Sequence, residues 1–120
     1  MIIMSNRDTD SGPAAAKKEG DLREVEIKRL IQRELRRMAP ALRGYKVYLF
    51  GSRASGKARE RSDFDVGVLG EQPLSLKTFY EIEDIFEEMP TLYRIDWVDL
   101  NRASPEFRGR ALRRVEVLYE

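Results

Sequence analysis

The stretch GSRASGKARERSDFDVGV, residues 51–68, separates two strand-like segments and holds the glycine and acidic residues on which the reading turns. Just before it, Tyr45–Phe50 (YKVYLF) is rich in β-branched and aromatic residues, so it reads as a buried strand running into a tight turn at Gly51 and Ser52. Ala54–Arg61 is small and charged and suits an exposed loop. From Asp63 to Leu69 the chain alternates, with Phe64, Val66 and Val68 on one face and Asp63, Asp65 and Gly67 on the other. The second strand therefore presents two carboxylates in one direction.

Working outward on the N-terminal side, Leu22, Val25, Leu30, Ile31, Leu35 and Met38 recur at helical spacing among basic residues. Asp21 with Glu24 forms a capping-box pattern at the start of this helix, and Pro40 limits its end. Residues 1–19 have no hydrophobic period and read as a flexible leader, leaving 20–120 as one domain; Met4 offers an alternative start to Met1. On the C-terminal side, Ser75 caps a helix carrying Leu76, Phe79, Ile82, Ile85, Phe86 and Met89, which Pro90 stops. Leu92–Leu100 reads as a third strand, with Asp96 and Val98 on one face and Ile95 and Trp97 on the other. Asn101–Ser104 turns the chain. Ser104, Pro105 and Glu106 then open a short helix through Leu112, and Val115–Tyr119 is a last strand. This order of helices and strands predicts an α/β (α+β) domain with a small mixed sheet flanked by helices.

Composition narrows the chemistry. The 120 residues include no cysteine and no histidine, which removes disulfides, the usual zinc sites, thiol nucleophiles and imidazole acid–base catalysis. Any catalysis must rest on carboxylates, whose hard oxygen donors favour Mg²⁺. With 36% charged residues, a mean hydropathy of −0.54 and no apolar run near the roughly 20 residues a bilayer crossing needs, the chain is expected to be soluble, without a membrane association, and cytoplasmic. The net charge of +1 hides an uneven layout: Gly20–Arg61 carries 12 Lys or Arg against 5 Asp or Glu, and Ser62–Pro90 carries 1 against 8. Ordinary solvated helix faces account for most of these charges, although a basic first half can also attract nucleotide or an acidic partner.

Phosphate recognition needs backbone N–H groups free to point at an anion, and a glycine at a strand end permits that approach. Gly51 and Ser52 fit the need, the Ser52 hydroxyl adds a donor, and Arg53 offers a charged fork. Metal binding needs converging carboxylates. Asp63 and Asp65 project together from one strand, and Asp96 on a neighbouring strand can complete a site for two Mg²⁺ ions, with Asp99 as its rival at the strand's end. Without a cation such carboxylates repel and take up protons. GSRASGK, residues 51–57, also meets most of the Walker A pattern, but Ala58 stands where that motif needs Ser or Thr and a charged loop follows in place of a helix.

Gly-Ser, ten residues, then Asp-x-Asp resembles the signature of the polymerase-β-like nucleotidyltransferase superfamily, and its minimal nucleotidyltransferase branch in particular. The resemblance covers about Leu22–Glu120, including the closing LNRASPEFRGRALRRVEVLYE; Arg113 and Arg114 depart from it where a glycine often precedes the last strand. It implies that Gly51 and Ser52 cradle the triphosphate of ATP, that Asp63 and Asp65 hold paired Mg²⁺, and that Asp96 assists the attacking hydroxyl. It further implies transfer of AMP to a tyrosine of a HEPN-domain toxin, with this chain as its antitoxin. Two other readings stay open at this point. One is a module that neutralises a partner by contact alone. The other is nucleotidyl transfer to RNA or a small molecule, for which the basic helix Arg23–Arg37 lacks the interleaved exposed aromatics that nucleic acid binding favours.

Overall fold

The computed structural model describes residues 12–120, with side chains from Arg23 onward. Helix α1 (Gly12–Arg37) is followed by a 3₁₀ turn (Ala39–Leu42) and strand β1 (Lys46–Phe50). Then come the short helix α2 (Ser52–Ser55), β2 (Phe64–Leu69), α3 (Leu76–Glu87), β3 (Ile95–Asp99), α4 (Pro105–Ala111) and β4 (Glu116–Tyr119). The four strands form one mixed sheet in the order β3-β2-β1-β4. β1 runs antiparallel to β2 and β4, whereas β2 and β3 are parallel and are joined through α3. The expected mixed sheet flanked by helices is the observed one.

One sheet face is covered by α1 and α3. Ile27, Ile31 and Leu35 of α1 and Ile82 and Phe86 of α3 are buried against Val47, Leu49, Val66, Val68 and Trp97. A smaller cluster lies on the opposite face, where Phe50 and Leu100 pack with Ala111 and Phe107 at α4, the two Phe rings meeting edge-on at 6.0 Å. Gly67 belongs to this second layer: a Cβ there would stand 2.8 Å from the Leu100 side chain, so its missing side chain makes room for Leu100. The alternation of β3 is as expected, with Trp97 in the larger cluster and Val98 in the smaller. Ser75 and Ser104 both cap their helices, accepting from the N–H groups of Thr78 and Phe107 at 3.2 and 3.1 Å. Each such cap is worth about 1 kcal/mol.

The first helix departs from expectation in two ways. It starts at Gly12, so Asp21 and Glu24 lie inside it instead of at its cap. Pro13 in the first turn and the Ala-Lys-Glu run that follows favour helix and extend it upstream. The rest of the expected leader, residues 1–11, lies outside the described residues. The stripe facing the core is also displaced: Ile27, Ile31 and Leu35 are buried, while Val25 is 41% exposed. Residues 25 and 27 sit about 200° apart around a helix, so one of them must face outward.

Candidate active site

The site is built where β1 ends and β2 and β3 begin. Because β1 is antiparallel to the other two, its last residues share one end of the sheet with the first residues of β2 and β3. Gly51 follows β1 with φ 73° and ψ −153°, a conformation for which glycine alone is unstrained. A Cβ built on Gly51 would overlap the Asp65 carboxylate, so the residue must lack a side chain for contact as well as for conformation. The expected turn then becomes α2, a short helix closed by Gly56 in the left-handed region at φ 80°. Its first N–H groups, those of Ser52 and Arg53, precede the helical bonding pattern and have no carbonyl partner within the helix.

Arg53 is corrected. Expected as a fork for phosphate, it is buried, and its guanidinium is committed elsewhere. It donates to the carbonyls of Glu60 (3.1 Å) and Ser62 (2.7 Å), pairs with Glu24 at 3.0 Å, and lies 4.3 Å above the Phe64 ring. A guanidinium with these partners cannot also chelate a phosphate. It anchors the loop that leads from α2 to Asp63. Glu24, read as half of a capping box, is instead the carboxylate between Arg53 and Lys28, which lies 3.2 Å away and also reaches Glu116 at 2.8 Å. Burial alone would lower the Lys28 pKa, but hydrogen bonds and charge from Glu116 and Glu24 outweigh it and raise the pKa above its ordinary value. Nothing local in the sequence marks this network, because Glu24 and Arg53 are 29 residues apart.

Asp65 sits opposite Phe50 on one side and opposite Asp96 on the other. The parallel register of β2 and β3 thus brings Asp65 and Asp96 side by side. Asp63 lies one residue before β2 and is exposed. The Asp65 carboxyl is pushed up to about 6, first by burial, then by the negative charges of Asp96 and Asp63, and then by a hydrogen bond with Asp96. Among the described residues no three acidic side chains close into a ready-made metal cage. The arrangement is a tight Asp65–Asp96 pair with Asp63 farther out. Asp99, the rival, is at the other end of β3 and opposite Val68. It is buried and structural: it accepts from the Leu74 N–H at 3.1 Å, the Asn101 N–H at 2.9 Å and Arg102 Nε at 3.2 Å.

The chain has counterparts among known proteins. The chain is 34% identical over 76 residues to a Haemophilus influenzae protein named "Probable protein adenylyltransferase MntA", an alignment covering 63% of this chain and 66% of that protein. The chain thus spans just under two thirds of that relative's length. A crystal structure of a mutant MntA-HpeT toxin–antitoxin matches with a TM-score of 0.58 at 25% identity, over 77% of this chain and 72% of the other. The MNT antitoxin complex with the tri-AMPylated HEPN toxin of Shewanella oneidensis shares the fold, with a TM-score of 0.52 at 20% identity over 77% and 71% of the two chains. The sequence profile of the polymerase beta nucleotidyltransferase family matches residues 42–120, which take in the Gly51 turn, all four strands and the three aspartates. With that match covering well over half its length, the chain belongs to the polymerase beta nucleotidyltransferase family.

Proposed function

We propose that this chain transfers AMP from ATP to a tyrosine hydroxyl of a HEPN-domain toxin and so acts as its antitoxin. The carrying observation is the pairing of Asp65 with Asp96 across parallel strands, beside a Gly51 turn that a side chain would block. The name of the Haemophilus relative supports protein adenylylation, and the toxin–antitoxin likeness at 25% identity supports the class of partner.

The residues fit Mg²⁺. Burial first, and then the charges of Asp96 and Asp63, raise the Asp65 pKa to about 6; a divalent cation offsets both, and the donors are all oxygens. An open pair with a third carboxylate nearby suits Mg²⁺, which keeps water and substrate phosphate oxygens among its ligands and rarely fills an all-protein cage. Asp63, Asp65 and Asp96 would hold two ions. When bound, these offset the charge on the phosphates and the charge that builds at the α-phosphorus during transfer. The opening N–H groups of α2 and the Ser52 hydroxyl receive the triphosphate. Asp96 accepts the proton of the attacking hydroxyl, whose oxygen bonds to the α-phosphorus as the bond to the pyrophosphate oxygen breaks.

The test is transfer of label from [α-³²P]ATP to a co-expressed HEPN protein in the presence of Mg²⁺. Asp65→Asn should lower the rate by at least about a thousandfold. Undiminished labelling by that variant would remove Asp65 from the mechanism. Absence of heat on titrating Mg·ATP into the wild type would favour neutralisation by contact alone.

A further inference from the structure

Taking the adenylyltransferase reading as given, one cavity indicates where the acceptor enters. It has a volume of about 280 Å³ and lies between the C-terminal half of α3 and the start of β3. Both faces of β3 contribute to it, Asp96 from one and Ile95 and Trp97 from the other, with Arg94 just before the strand, so it opens over the free edge of the sheet. Phe86 and Trp97 supply aromatic wall, and Glu83 and Glu87 supply charge.

Position relative to the Gly51 turn decides the occupant. The strand order sets β1, β2 and β3 side by side, so the phosphate turn, Asp65, Asp96 and the cavity follow one another across the sheet. In-line displacement at phosphorus requires the attacking oxygen and the leaving pyrophosphate on opposite sides. With the phosphates at Gly51, the attacking hydroxyl must come from beyond Asp96, which is the side of the cavity. The volume lies below the ~300 Å³ at which pockets begin to hold drug-sized ligands. It admits one side chain, and its aromatic wall suits a phenol ring.

Charge and surface describe what surrounds that side chain. Glu83 and Glu87 are one helical turn apart on α3, and neither forms a salt bridge among the described residues. With Asp96 they outnumber the single cation, Arg94, in the lining. The same stripe of α3 continues to Tyr80 and Leu76, which are 54% and 52% exposed, a width of contact that a small molecule would not cover. We propose that the cleft over the free edge of β3, bounded by Glu83, Glu87 and Asp96, is the acceptor-docking site, and that it selects a tyrosine flanked by basic residues on a protein partner.

Binding is measured without ATP, by anisotropy of fluorescein-labelled peptides at low ionic strength. Wild type should bind Lys-Lys-Tyr-Lys-Lys at least about tenfold more tightly than Glu-Glu-Tyr-Glu-Glu, and more tightly than Lys-Lys-Ala-Lys-Lys. Glu83→Lys with Glu87→Lys, both on the helix surface and checked for folding by circular dichroism, should invert the charge preference. Equal binding of the tyrosine and alanine peptides, or a preference that the double variant does not move, would overturn the proposal. Calorimetry with Mg·ATP on the wild type separates the two readings: absence of nucleotide heat defeats the enzymatic reading, whereas peptide preference reports on the cleft alone.

Discussion

At position 51 conformation and proximity make the same demand. Gly51 has a positive φ and its α-carbon lies against the Asp65 carboxylate, so Gly51→Ala meets backbone strain and a steric overlap together. Strain of this kind costs on the order of 1–3 kcal/mol. The overlap displaces the one carboxylate that registers with Asp96, so adenylylation should fall by more than about a hundredfold, read by label transfer alongside a thermal melt. Asp65 carries a second prediction. Folding raises its pKa from an ordinary 3.8 to about 6, so between those values the folded chain holds a proton that the unfolded chain has released. Stability of the cation-free protein therefore falls as pH rises through this window, and the full penalty is present above about pH 6. Melting temperature should drop from about pH 4 to about pH 7, the drop should be smaller in Asp65→Asn, and Mg²⁺ added at neutral pH should reverse it in the wild type only. A flat profile in the wild type would mean that Asp65 is not held buried beside Asp96 in solution.

At the scale of elements, the loop between α2 and β2 has no regular structure of its own, and Arg53 holds it. The Arg53 side chain is 6% exposed and its partner Glu24 is 24% exposed, so removing either leaves a charge that water only partly reaches. Arg53→Met should cost about 2–4 kcal/mol and Glu24→Met less, while the double variant should cost less than their sum by about 1–2 kcal/mol. Urea denaturation of the four proteins measures the coupling, and strict additivity would refute the anchoring role. What could be read from residues alone follows the range of the interaction. β2 and β3 were legible because side chains alternate along a strand, and the α3 and α4 starts because Ser75 and Ser104 act within a few residues. Asp96 differs from Asp99 in lying near the strand's start, and it is Asp96 that registers with Asp65. Arg53 was misread because its partner lies on α1, far away in the chain, and a short helix such as α2 leaves no periodic trace.

Across the whole molecule, the family profile begins at residue 42, yet the sheet packs one of its faces against the helix before it. α1 buries Ile27, Ile31 and Leu35 against the strands, donates from Gln32 to the Leu118 carbonyl at 3.2 Å, and sends Lys28 to Glu116 at 2.8 Å on β4. Ile31→Ala and Leu35→Ala, both at fully buried positions, should each cost about 2–5 kcal/mol. A domain of this size holds only about 5–15 kcal/mol, so the pair together removes most of it. Val25→Ala, on the exposed side of the same helix, should stay within about 0.5 kcal/mol. The strongest form of the experiment is a chain shortened to residues 39–120, which keeps all of the family match and every candidate catalytic residue. It should lose its cooperative urea transition and its Mg·ATP heat, because the face bearing Val47, Leu49, Val66 and Val68 keeps only α3 as cover and Arg53 loses Glu24. A shortened chain that unfolded cooperatively and still bound nucleotide would show that β-sheet, α3 and α4 suffice, and would reduce α1 to an accessory. The physical expectation is the opposite: a sheet of this size needs full cover on both faces, and here the helix that shares with α3 the cover of one face also fixes the loop leading to Asp63.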